Sequence, residues 1–220
     1  MFGWKSTPGT RESFENADAT AVKSGLISGT KVATGMGWRP VEAIAEGDRV
    51  LTFDGGLQTV TKVSRIRLWS GQDHCPRQFW PLEVPAGALG NREVMRVLPG
   101  QNIMVESDAA EDLYGDPFTL IPAEAIEGLY GVARTPPDDD VEVLVLHFAA
   151  DQVVFGEDGA LFFCPGFADM IDAAFTEEPR PFYSVLSMDE ARFLAVQIED
   201  EIAAVCGNSP QDIWAAAVPA

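Results

Sequence analysis

The chain has 220 residues, and its 34 acidic side chains against 15 basic ones give a formal net charge of −19. Because such a surface repels phosphate backbones, the composition disfavours nucleic-acid binding. Since no run approaches the ~18 consecutive apolar residues of a membrane span and no signal-peptide core follows residues 1–5, we expect a protein that is cytoplasmic or exported by a less usual signal.

The sequence offers no pattern typical of a metal or cofactor site. Cys75, Cys164 and Cys206 are scattered, and an odd count without a Cys-x-x-Cys pair argues against a disulfide framework or a zinc cluster. An acidic segment with oxygen ligands suits calcium, but its spacing matches no EF-hand, so we expect a solvated acidic loop, with a calcium-stabilised exported module as the alternative. The acidic residues are Glu106, Asp108, Glu111, Asp112 and Asp116.

Residues 1–24 are polar and mixed in charge, which predicts a flexible N-terminal arm. Phe2, Trp4 and Phe14 are the exceptions within it. These aromatic residues either pack the arm onto the body or contact a partner.

Residues 25–165 predict a mainly β domain. Turn residues recur between short apolar runs at roughly the 8–12 residue spacing of all-β domains, and residues 122–126 predict one helical turn that begins with Pro122. The predicted strands are residues 30–34, 49–53, 58–69, 80–84, 94–98, 103–106, 118–122, 141–148, 152–155 and 160–164.

The apolar period changes in residues 166–220, which predict a C-terminal helical extension. Residues 167–175 and 191–205 both show apolar side chains at helical spacing. Ser187 and Glu190 form a capping-box pattern ahead of the second helix, and Gly207 is a plausible helix stop. The helices are expected to pack on the β domain or to act as an interaction element.

The most informative segment is residues 29–54, which reads as strand, turn, short strand, turn and strand. Gly35 and Gly37 permit a tight reversal, and Glu46-Gly47-Asp48 forms the second turn. This residue order resembles the opening block of the hedgehog/intein (Hint) domain, a self-processing family. The resemblance extends over about residues 25–165 and implies a Hint-like β fold followed by C-terminal α-helices.

The resemblance also identifies where the chemistry of the family would lie. The family carries a nucleophilic cysteine four residues before a Gly-Thr pair, and the corresponding residue here is Gly25, which has no side chain. A histidine in a second block would protonate the leaving amide or polarise the bond. Gln101 stands at that position, and a glutamine does not transfer a proton near neutral pH.

A third block, residues 141–155, resembles the late strand pair of the family, in which relatives often place a histidine near Val145 and Asp151. His147 lies two residues from Val145 and, by the period of a strand, on the same face. It is either a surviving acid or base or a structural strand histidine at the edge of the core.

These residues lead to two hypotheses. The first is a catalytically degenerate Hint-like domain, not an enzyme, that binds or scaffolds; a protein partner is compatible with it, and the oligomeric state is open. The second is an autoprotease that cleaves itself near Ser24, the only hydroxyl adjacent to the missing nucleophile. Ser24, Gln101 and His147 are then the candidate catalytic residues, with no cofactor and no metal.

Overall fold

The computed structural model describes residues 22–206 except 72–73, 90, 139, 157–158 and 167–182. Within these residues the chain is mainly β, as predicted. The strands are β1 Leu26–Ile27, β2 Lys31–Thr34, β3 Gly37–Pro40, β4 Arg49–Thr52, β5 Gly56–Thr59, β6 Lys62–Arg67, β7 Leu82–Val84, β8 Met95–Val97, β9 Asn102–Glu106, β10 Phe118–Pro122, β11 Ala133–Arg134, β12 Glu142–His147, β13 Gln152–Phe155 and β14 Leu161–Cys164. The helices are α1 Asp108–Tyr114 and α2 Met188–Cys206, and short 3-10 turns lie at Val41–Ala43, Arg77–Phe79 and Ala123–Ile126.

The named strands form three antiparallel sheets. The largest has the order β10-β9-β14-β13-β4-β2-β3, with β5 paired to β4. The two smaller sheets have the orders β1-β12-β6 and β11-β7-β8. In the first of these, Leu26 of β1 pairs with Leu144 of β12, which ties the start of the described chain to a strand from far along the sequence.

Strand β12 shows how the sequence pattern builds the core. It lies between β1 and β6, and Val143, Leu144 and Leu146 are all fully buried. A central strand that is covered on both faces reads as a nearly continuous apolar run. Each such side chain stabilises the fold by about 1.5–3 kcal/mol relative to exposure.

Helix α2 packs on its own domain, against α1, β10 and the 3-10 turn at Ala123–Ile126. Its inward face buries Ala191, Leu194 and Ala195. The Tyr130 hydroxyl donates to the carbonyl of Ala195. The predicted capping box is confirmed, since the Ser187 amide donates to Glu190 Oε2 and the Glu190 amide donates to the Ser187 hydroxyl. Neither described helix is long and apolar enough to span a membrane.

Two structural predictions were wrong. The acidic segment is not a loop, because Ser107 caps helix α1 by accepting a hydrogen bond from the Ala110 amide, and Gly115 ends that helix in the left-handed conformation. The predicted strand over residues 58–69 is divided into β5 and β6 around a buried Val60. The predicted helix over residues 167–175, the stop at Gly207 and residues 1–21 of the arm lie outside the described residues.

Candidate functional site

The chain just before β1 is held on the body by backbone hydrogen bonds. The Val22 amide donates to the Leu68 carbonyl at 3.3 Å, and the Gly100 amide donates to the Lys23 carbonyl at 2.8 Å. A Cβ at Gly100 would lie 2.9 Å from the Lys23 oxygen. Glycine is therefore the residue that allows this close approach of two backbones.

Gln101 lies beneath this junction and is only 2% exposed. Its Oε1 accepts hydrogen bonds from the Gly25 amide at 2.9 Å and the Ser24 hydroxyl at 3.2 Å. Its Nε2 donates to the carbonyls of Asn102 at 2.9 Å and Phe163 at 2.8 Å. Both protons and both lone pairs of the carboxamide are used, which fixes its orientation.

Gly25 has no room for a side chain. Its φ is +130°, and an added Cβ would lie 2.5 Å from Cγ1 of Val143 and 3.2 Å from Cγ2 of Val145. Val145 is the residue near which the family resemblance expects a histidine. Gly25, Gln101 and Val145 thus come together in space, and none of them carries a group that titrates near neutral pH.

His147 contacts a different part of the fold. It pairs across β12 and β6 with Lys62, and its Nε2 lies 3.1 Å from the hydroxyl of Ser64. Partial burial, with the neighbouring Lys62 charge, lowers the pKa of His147. Among residues 22–206 as described, no hydrogen bond joins His147 to Ser24 or Gln101, so the structure brings together two of the three candidate residues.

The thiols and acidic residues of the described chain add no obvious reactive group to this junction. Burial raises the pKa of Cys164 to about 12 and also raises the pKa of Cys75, and a protonated thiol is a poor nucleophile. In the part of the chain that the structure describes, no group of three or more His, Cys, Asp or Glu side chains could hold a metal ion.

A sequence model of the Hint domain family matches residues 24–161, which is more than half of the chain. The chain belongs to the Hint domain family. The matched region of this Hint domain begins at Ser24, beside Gln101, and ends in β14. No curated protein matches the sequence.

The Hint domain is also similar to solved inteins at low sequence identity. A splice-inactive variant of the AceL NrdHF class 3 split intein is 17% identical, with a TM-score of 0.44, and the match covers 66% of this chain and 99% of that one. A bacterial intein-like domain from Clostridium thermocellum is 15% identical, with a TM-score of 0.45, over 64% of this chain and 98% of that one. The gp41-1 intein is 13% identical, with a TM-score of 0.40, over 64% and 98%.

Sequence reasoning missed two residues of this site in the Hint domain. The sequence pattern assigned no role to Gly100, although its amide donates a hydrogen bond to the Lys23 carbonyl. Val143 belongs to the predicted strand over residues 141–148, and only the structure shows that it fills the space next to Gly25. For Gly100, the available signal was a glycine directly before the position at which the family has a histidine. For Val143 the sequence carried no signal, because its contact with Gly25 depends on packing.

Proposed function

We propose that this Hint domain no longer breaks a peptide bond and serves as a binding or scaffolding module. The observation that carries the proposal is the hydrogen bond from the Gly25 amide to Oε1 of Gln101, at 2.9 Å. The resemblance assigns to this position a histidine that acts on the amide of the bond to be broken. A carboxamide oxygen accepts the amide proton and has no proton of its own to give to the leaving nitrogen.

The packing around Gly25 supports the same conclusion. A nucleophile at this position would need a Cβ, and that atom would overlap with Val143 in the core. A single substitution to cysteine would therefore not restore a working site. Two independent requirements for cleavage, a nucleophile and a proton donor, are both unmet at the Ser24–Gly25 bond.

The same hydrogen bonds support a structural use of the junction. Ser24, Gly25 and the Lys23 carbonyl are all bonded to the loop of Gly100 and Gln101. In the proposed module these contacts hold residues 23–25 against the loop of Gly100 and Gln101, and so fix the orientation of the chain where it enters β1.

A serine autoprotease is the second candidate, because Ser24 lies next to a carbonyl that accepts a hydrogen bond. In that reaction Ser24 Oγ attacks the Lys23 carbonyl carbon, the Lys23–Ser24 C–N bond breaks, and the hydroxyl proton goes to the released Ser24 amine. Water then hydrolyses the resulting ester to give residues 1–23 and 24–220. The reaction needs a base for the serine, and the described partner of its hydroxyl is the Gln101 carboxamide.

Intact-mass spectrometry of the purified full chain separates the two candidates. The binding proposal predicts a single species of 23.8 kDa after prolonged incubation at neutral pH. A species lacking residues 1–23 that forms in the wild type and in Ser28→Ala, but not in Ser24→Ala, would establish the autoprotease instead. Ser28 is the matched control because it is an exposed serine close by in the sequence.

A further inference from the structure

A cleft lies beside the junction and plays no part in the chemistry discussed above. It has a volume of about 760 Å³, which is within the range of ligand-binding pockets. We call it the aromatic cleft after Trp69 and Trp80; Leu68 and Val141 belong to its apolar wall, and its polar wall includes Arg67, His74, Asp138 and Asp140. Trp80 is held in place by a hydrogen bond from its Nε1 to the Cys75 carbonyl at 2.8 Å.

The described chain begins at the wall of this cleft. The Val22 amide bonds to the carbonyl of Leu68, which is itself a cleft residue. Lys23 Nζ lies 5.6 Å from the centre of the Phe79 ring, and that ring stacks on Trp69 with centroids 6.0 Å apart. The described chain therefore begins next to an aromatic surface.

We propose that the segment of residues 1–21 docks in the aromatic cleft of its own chain, through Phe14. The segment contains three aromatic residues, Phe2, Trp4 and Phe14, of which Phe14 is the closest in sequence to Val22. Eight residues of extended chain reach up to about 28 Å, so Phe14 has ample length to enter the cleft. Aromatic side chains that pair with Trp69 or Trp80 would gain from offset or edge-to-face contact.

Charge favours this occupant over a second copy of the chain. Each copy carries a net charge of −19, so two copies repel each other. Residues 1–21 contain two basic and three acidic side chains, and the segment is already tethered at the cleft, which gives it a high effective concentration there. The tether exists only while the chain is uncut, so this inference rests on the proposed loss of cleavage, and the intact mass of the chain before crosslinking distinguishes failure of the one from failure of the other.

Photocrosslinking of the full chain tests the proposal. A benzophenone amino acid in place of Phe14 should crosslink within the same chain to residues 67–71, 75–80 or 136–141. The same amino acid in place of Phe193, which is 54% exposed on α2, is the control and should not label the cleft. Crosslinks that lie elsewhere, or that join light and heavy isotope-labelled copies in a mixture, would overturn the proposal.

Alkylation of Cys75 provides a second test with a smaller substitution. If Phe14 covers the cleft, Phe14→Ala should accelerate the reaction of Cys75 with a thiol reagent by a factor of about 2 to 13. This factor corresponds to the interaction free energy of one aromatic pair. Phe193→Ala should leave the rate unchanged. An equal rate in the wild type and Phe14→Ala would show that the segment does not shield this cleft.

Discussion

Replacing Gly25 with alanine tests whether Val143 fills the space that a nucleophilic side chain would need at this position. The φ of +130° costs an L-residue roughly 1–2 kcal/mol. The Cβ would also lie 2.5 Å from Val143 Cγ1, and overpacking of a buried site costs about 1–3 kcal/mol. We therefore expect Gly25→Ala to lower the free energy of unfolding by about 2–5 kcal/mol, a large part of the roughly 5–15 kcal/mol typical of a domain.

Gly29→Ala is the matched control, because Gly29 has a φ of +95° and nothing within 4 Å of an added Cβ. The Gly29→Ala variant should therefore lose only the free energy of unfolding that corresponds to the backbone strain, about 1–2 kcal/mol. In urea unfolding with a slope of roughly 2 kcal/mol/M, the midpoint should fall by about 1–2.5 M for Gly25→Ala and about 0.5–1 M for Gly29→Ala.

Equal midpoint shifts in the two alanine variants would refute the argument that Val143 fills the nucleophile position. The double variant with Val143→Ala should lose less stability than the sum of the two single variants, since the two side chains are in contact and their effects are not additive.

Three further variants test the hydrogen bonds of Gln101, the packing of α2 and the titration of His147. Gln101→Leu should lower the free energy of unfolding by about 2–4 kcal/mol in urea titrations, because it leaves buried polar groups without partners; a loss below 1 kcal/mol would contradict the network. Tyr130→Phe removes the hydrogen bond to the Ala195 carbonyl and should cost about 1 kcal/mol, seen as faster amide exchange in α2 but not in β12. The pKa of His147 is lowered in the fold, so its contribution to stability is present above pH 6.5 and is lost as pH falls. The stability difference between the wild type and His147→Gln should therefore shrink on acidification, and a constant difference would contradict this reasoning.

Much of the β domain could be predicted because its strands are short and bounded by turn residues. The predicted strands over residues 118–122 and 152–155 coincide with β10 and β13. Helix α1 was missed because five acidic residues in a short span suggested a solvated loop. Its signals were nevertheless present, since Ser107 stands at the N-cap and Gly115 follows the last turn.

The site was predictable only in part. The family resemblance identified Gly25 and Gln101 as the two altered positions, and the structure brings them into hydrogen-bond contact. The sequence could not show that Val143 occupies the space beside Gly25, because this depends on the pairing of β1 with β12 from more than a hundred residues away. Nor could it show that His147 bonds to Ser64, since that contact depends on the register of β12 with β6.

Trapping of an acyl shift is the most direct measurement of the proposed loss of cleavage. Hydroxylamine breaks an ester and leaves ordinary peptide bonds intact, and the chain contains no Asn-Gly pair that the reagent would also cut. The full chain incubated with hydroxylamine at neutral pH should remain a single intact species by mass. A fragment that begins at Ser24 or Gly25 would show that the junction still rearranges and would contradict the account.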